Sequence, residues 1–273
     1  MIDLHVHTFR CRHAEGTPSE YVRAAAIRGV GTVAFTDHLP LAPAVVELVA
    51  GAEKYAMPAT ELPVYISEVA EAAELGQELG VEVLCGIEVD AVSSALDHAS
   101  AILESYPFDI VLGSVHFIDD WAFDDPSRRD RYAEWRPEDL WERYFGDLAW
   151  AAASGIADVM AHADLVKKFC FVPEGPQDAL YEQTAALLRS AGVAVEVNTA
   201  GLRKPCQELY PAPAFLKALQ RAGVPVTVGS DAHSPHEVGA GWSEAISALR
   251  EAGYKSMLVF RGRTPEEVAL DER

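Results

Sequence analysis

Ile2-Asp3-Leu4-His5-Val6-His7 alternates with a period of two, which places Ile2, Leu4 and Val6 on one face of an extended strand and His5 and His7 on the other. Downstream, Thr17-Pro18-Ser19-Glu20 supplies an N-cap, a proline at the first helical position and a capping-box glutamate, and Gly29 is the natural stop. A strand followed by a capped helix is one β-to-α unit, and the rest of the chain repeats it.

Further strands are predicted at 31–36, 81–88, 108–116, 157–162, 193–198 and 225–230, with 254–260 as a short eighth. Helices are predicted at 64–79, 94–104, 137–153, 179–191, 214–222 and 243–251, several closed by a glycine such as Gly80, Gly192, Gly223 or Gly253. Strands alternating with helices imply parallel βαβ units, and so many without a boundary linker imply one closed α/β barrel domain over 1–273. Two stretches interrupt the pattern. Residues 39–62 are rich in Ala and Pro, and 119–136 mix charge with Trp121, Phe123, Tyr132 and Trp135. Each is a loop insertion on the catalytic face, either a solvated excursion or a lid.

Composition narrows the function. The 273 residues carry 22 Lys+Arg against 42 Asp+Glu, a formal charge of −20, with 49% hydrophobic residues. Such a chain is globular, and its acidity argues against nucleic-acid or anionic-membrane partners, which need a basic surface. The polar start Met-Ile-Asp-Leu-His lacks the apolar core of a signal peptide, and no apolar run is long enough to cross a bilayer. Cys11, Cys85, Cys170 and Cys206 are dispersed and suggest no disulfide framework. A cytoplasmic protein is expected.

Of the nine histidines, His5 and His7 end the first predicted strand, His13 lies in the first βα loop, and His38 follows the second strand. His116 and His162 end the fourth and fifth strands, and His233 follows the seventh. Glu88 ends the third, Asp37 precedes His38, and Asp231 stands two before His233. A barrel gathers its strand C-termini at one mouth, so these groups converge although they are far apart in sequence. Imidazoles with carboxylates suit zinc, manganese or iron, and the set is too large for one four- to six-coordinate ion, so two to three divalent ions are expected. His5 and His7, at i and i+2 on a strand, can reach the same ion. His98 is expected on a solvated helix face, His236 as a cap, and Cys11 as packing. Asp164 either orients a ligand histidine or pairs with Lys167 or Lys168.

Asp3-Leu4-His5-Val6-His7-Thr8, His13, Thr36-Asp37-His38, Gly86-Ile87-Glu88, Gly113-Ser114-Val115-His116, Ala161-His162 and Gly229-Ser230-Asp231-Ala232-His233, in this order, resemble the motif set of the polymerase-and-histidinol-phosphatase (PHP) family. The match runs through nearly the whole chain. The stretches 163–169, 197–203, 210–213 and 235–239 resemble its monofunctional histidinol-phosphate phosphatase branch. The resemblance implies a distorted (β/α)7 TIM-like barrel with a trinuclear site. It assigns His5, His7, Glu88 and Asp231 to one ion, Glu88, His116 and His162 to a second, and His13, His38 and His233 to a third. It implies hydrolysis of L-histidinol phosphate, a small phosphomonoester, to L-histidinol and inorganic phosphate in histidine biosynthesis.

Two-ion sites suit in-line phosphoryl transfer. Asp231, then Asp37, are the candidates for orienting or moving a proton, with a structural role as the alternative for each. Arg203 follows the sixth strand, and its planar fork matches phosphate oxygens; Lys168 and Lys204 are further candidates for substrate binding. Other readings are a PHP-type phosphodiesterase or nuclease, disfavoured because no Lys/Arg-rich segment with interleaved aromatics appears, and a non-catalytic metal-binding PHP module, disfavoured because no ligand position is replaced.

Overall fold

The computed structural model describes residues 1–270; residues 271–273, the end of the span predicted for the barrel, lie outside the described residues. β1 (Ile2–Val6) is buried beyond its first residue. After it, Thr17 accepts from the Glu20 backbone and the Glu20 carboxylate accepts from Thr17 N at 2.7 Å, the capping box that starts α1 (Pro18–Arg28). Gly29 closes α1 with φ of 75°, a left-handed geometry that glycine adopts without a Cβ penalty.

Six more strands follow: β2 (Thr32–Phe35), β3 (Glu82–Asp90), β4 (Ile110–Ser114), β7 (Val159–Met160), β8 (Ala194–Asn198) and β9 (Val226–Gly229). They form a seven-stranded sheet in the order β1-β2-β3-β4-β7-β8-β9, every neighbouring pair parallel. The edges meet beyond β9, where His7 N donates to Ala232 O at 2.9 Å, so the sheet curls into a nearly closed barrel. Helices α3 (Leu62–Leu79), α4 (Leu96–Ser105), α5 (Pro137–Ala153), α6 (Asp178–Ala191), α7 (Pro213–Ala222) and α8 (Trp242–Ala252) connect the strands. α1 packs on α3, and α5, α6, α7 and α8 pack in series. The stacked pair Tyr181 and Phe215, centroids 4.9 Å apart, joins α6 to α7. Among the described residues no helix is long and apolar enough to cross a membrane.

Four expectations are corrected. The alternation of β1 does not hold throughout, because its register with β2 shifts between Asp3 and Val6. Leu4 therefore packs with Leu84, Leu112 and Val159 inside the ring, whereas Val6 joins Tyr21, Val22 and Phe35 on the helix side. β3 does not stop at Glu88 but continues to Asp90, which pairs with Ser114. Residues 254–260 add no strand to the barrel: β10 (Ser256–Arg261) pairs antiparallel with β11 (Thr264–Ala269). Gly262 and Arg263, at φ of 52° and 60°, make the two-residue turn such hairpins favour. Val259 and Phe260 plug the ring from below, and Arg261 and Arg263 grip Glu82 and Asp158 at the strand starts. Finally, His98 is not on a solvated face, since its Nε2 lies 3.0 Å from the Pro40 carbonyl and ties α4 to the first insertion.

The insertions fold on each other. Residues 39–62 form α2 (Pro43–Leu48) and two 3-10 turns; the region around 119–136 forms a small hairpin of β5 (Phe117–Ile118) and β6 (Trp121–Ala122), then a 3-10 segment. Ala42, Val45, Val49 and Ala52 share a hydrophobic cluster with Phe117 and Ala122, and Arg128 Nη2 donates to the Ala50 carbonyl.

Candidate metal centre

The C-terminal ends of the strands meet in a cage of imidazoles around Glu88. Its Oε2 lies 3.4 Å from His5 Nε2, 3.3 Å from His7 Nε2 and 3.3 Å from His38 Nδ1. Its Oε1 lies 3.0 Å from His162 Nε2 and 3.8 Å from His116 Nε2, and accepts from Ser114 Oγ. Asp231 Oδ1 stands 3.8 Å from His5 Nε2 and 3.4 Å from both His7 Nε2 and His233 Nδ1. The His13 ring lies 4.9 Å from that of His233 and 5.4 Å from that of His38. All nine predicted ligand positions are thus brought together.

Among the described residues, five triplets have ligand atoms mutually within 4.8 Å: His5-His7-Asp231, His7-His38-Glu88, Glu88-His116-His162, His38-Asp90-His116 and His7-Cys11-His233. The third falls within the second expected set. The second joins His7 and His38, which the expected sets place on different ions, the last two bring in Asp90 and Cys11, and Cys11, expected as packing, is a buried thiol among these groups. The donors fit divalent ions. His7 Nδ1, His38 Nδ1, His162 Nδ1, Glu88 Oε2 and Asp90 Oδ2 are buried with no hydrogen-bond partner, a condition that costs about 1–3 kcal/mol per neutral group and more per charge. A cation among the imidazoles relieves it for Glu88 Oε2, which His5, His7 and His38 face.

The electrostatics point the same way. Burial disfavours protonated His5 and His7, yet Glu196, Glu88 and Asp231 around His5, and Asp231, Cys11 and Glu88 around His7, outweigh it and raise both well above the ordinary imidazole range. Burial likewise works against Glu88 and Asp231 as anions, but the imidazoles hold both well below the usual carboxylate range. Burial, opposed by Asp90 and Glu88, leaves His116 pushed up to about 9, while burial and the neighbouring His38 and His7 pull His13 down to about 4. Carboxylates that draw protons onto imidazoles also draw divalent cations.

Above the cage opens a cavity of about 610 Å³ whose walls include Tyr55, Asp124, Arg129, Lys168, Phe169 and Lys204. Lys168 and Lys204 both line this cavity, and Lys168 Nζ is bound to the Asp124 carbonyl and carboxylate at 2.7 and 3.0 Å. Arg203 is not in this wall. Its Nη2 donates to the Ser230 carbonyl at 2.8 Å and its Nε pairs with Glu237 at 3.1 Å. Asp37 is fully buried below the cavity, its two oxygens taken by Thr8 N and Thr8 Oγ at 3.0 and 2.8 Å. Burial raises its carboxyl. His236 is exposed and bonds to Ser234 Oγ, and Asp164 pairs with Lys167 at 2.9 Å and accepts from Ala212 N, touching no imidazole.

Sequence reading missed two carboxylates behind the cage. Glu196 Oε1 lies 2.8 Å from His5 Nδ1, and its Oε2 accepts from His162 N at 3.0 Å and Asn198 Nδ2 at 2.9 Å. Asp90 Oδ1 lies 2.7 Å from His116 Nδ1. The Glu-x-Asp spacing of Glu88 and Asp90 was a usable signal, since it puts both on one face of a strand. It also missed the cavity-wall cations Lys54, Arg128 and Arg129, all supplied by the insertions.

The PHP domain model matches residues 3–200 and a PHP-associated model matches 216–252. A Deinococcus radiodurans protein described as a probable histidinol-phosphatase is 36% identical over 268 residues, 96% of this chain and 97% of that relative. The histidinol-phosphatase of Bacillus subtilis is 26% identical over 257 residues, 87% of this chain and 95% of the relative. The fold matches a Lactococcus lactis histidinol phosphate phosphatase, solved with zinc, L-histidinol and phosphate, at a TM-score of 0.82 and 21% identity over 97% of this chain and 98% of that one. The strand-end cage from His5 to His162 lies within the first matched segment, and the chain belongs to the PHP domain family.

Proposed function

We propose that this chain is a metal-dependent phosphatase that hydrolyses L-histidinol phosphate to L-histidinol and inorganic phosphate, a step of histidine biosynthesis. The observation that carries this reading is the convergence of seven imidazoles with Glu88 and Asp231 under a cavity of small-molecule size. The full-length relative from D. radiodurans supports the choice of substrate.

His5, His7, Glu88 and Asp231 would hold one ion, Glu88, His116 and His162 a second, and His13, His38 and His233 a third, with zinc, manganese or iron as the ions the donor set suits. Such ions supply charge for the phosphoryl oxygens and make water a better nucleophile. The chain's own residues do the rest. Lys168 and Lys204 present positive charge to the phosphate dianion from the cavity wall. Asp231, between the cage and the cavity, orients the attacking water or accepts its proton. Arg203, through the Ser230 carbonyl, positions the turn that carries Asp231. Asp37 acts by anchoring Thr8 and the first βα loop.

Phosphate release tests the reading. Metal-loaded protein should act on histidinol phosphate with a kcat/KM well above that for p-nitrophenyl phosphate and far above that for bis-p-nitrophenyl phosphate. Preference for the diester would make the chain a phosphodiesterase, and no turnover of any ester with two to three ions bound would remove the phosphatase reading.

A further inference from the structure

Asp90 lies outside every motif that singled out the cage, yet it touches two of the imidazoles. β3 runs two residues past Glu88, with Val89 paired to Gly113 and Asp90 to Ser114. Asp90 therefore projects from the same face as Glu88. Its side chain is 1% exposed. Oδ1 lies 2.7 Å from His116 Nδ1, and Oδ2 lies 3.5 Å from His38 Nδ1, which stands between it and Glu88 Oε2 at 3.3 Å. Donation from His116 Nδ1 to Asp90 leaves the Nε2 lone pair as the free edge, and that edge faces Glu88 Oε1.

We propose that Asp90 is a positioning residue that sets the metal-facing edges of His116 and His38 together, so that the two ions these imidazoles serve bind as a coupled pair. The proposal rests on the metal sets put forward above, in which His116 and His38 belong to different ions. One carboxylate holding an imidazole from each set links them without being a ligand. Losing it frees two rings at once and leaves His5, His7 and Asp231, which it does not touch. Glu196 does the corresponding work for His5, so the cage has two independent supports.

The test is a titration of metal-free protein with zinc against a competing chelator, with far-UV circular dichroism to verify folding. Wild type should bind two to three ions. Asp90→Ala should weaken two of them by about 10- to 100-fold and leave one unchanged. Asp90→Asn, which keeps an acceptor for His116 Nδ1 but no charge, should fall between the two and serves alone if the alanine variant does not fold. In a His116→Ala background, removing Asp90 should change the affinity of the ion held by Glu88 and His162 by less than about twofold. An unchanged isotherm, equal weakening of all ions, or a full additional loss in the His116→Ala background would overturn the proposal. Wild type binding at most one ion would instead overturn the metal sets beneath it.

Discussion

Glu196 Oε1 is 2.8 Å from His5 Nδ1, and both side chains are at most 1% exposed. The other Glu196 oxygen accepts from the His162 backbone, so one carboxylate braces β1, β7 and β8 where the cage is built. Glu196→Gln keeps the shape but replaces one acceptor by a donor facing His5. Metal affinity of the His5 ion should fall about 10- to 100-fold with secondary structure intact, as a chelator-competition titration would show. Unchanged affinity would mean that His5 is held by packing alone.

Gly229 leaves the room Glu196 occupies, because a Cβ there would collide with Glu196 Oε1 and lie 2.5 Å from the His5 Cβ. Gly229→Ala should therefore displace Glu196 and mimic Glu196→Gln in the same titration, with a lower Tm besides. An alanine variant with wild-type zinc affinity would show that the strand shifts at no cost to the site.

Arg203 and Lys204 are neighbours with different surroundings, since Arg203 bonds the Ser230 carbonyl and Glu237 while Lys204 lines the cavity. Arg203→Ala should lower stability by about 1–2 kcal/mol, a few degrees in Tm, with a loss in kcat/KM smaller than that of Lys204→Ala. Lys204→Ala should raise KM on the order of tenfold at unchanged Tm. The reverse ranking would return Arg203 to the phosphate.

Metal removal should make stability depend on pH in a definite direction. In the metal-free protein, carboxylates overcome burial to raise His5, His7 and His116, the last to about 9, above an unfolded value near 6.5. Between pH 7 and 9 the folded state then binds more protons than the unfolded one, so stability falls as pH rises through that window. His13 and His233, lowered by burial and nearby imidazoles, are neutral in both states there. Chelated protein should lose Tm from pH 7 to 9, and zinc-loaded protein should show a higher, flatter profile. A flat profile without metal would contradict these shifts.

Phe260 is 5% exposed in the plug below the barrel, away from the cage. Phe260→Ala should cost about 3–5 kcal/mol and leave the kcat/KM of the folded fraction unchanged. A kinetic defect would show that the plug transmits strain to the strand ends.

Much of the fold was legible because period-two runs, capping signals and terminal glycines agree from Ile2 to Gly253. The cage was legible because its ligands sit at strand ends. Other features depend on what lies across the barrel. Nothing within 193–198 marks Glu196 as different from any buried polar residue, because its partner His5 is 191 positions away. Arg203 occupies the loop expected of it, but loop membership does not set the direction of a side chain, and the Ser230 carbonyl claims it. The hairpin escaped because Tyr254–Phe260 is apolar enough for a barrel strand; only the left-handed Gly262-Arg263 turn diverts it.

The two insertions share one apolar cluster with Ala95, while Leu39, Met57, Leu62, Trp121, Phe123 and Tyr132 join the main core, and the expected ligand positions other than His13 sit on or beside the strand ends. The cage thus rests on the strand ends, and part of the cavity wall above it on the insertions. Residues 39–62 and 119–136 are tied to each other and to the core, so a change of shape in either must be met both by its neighbour and by the barrel it rests on.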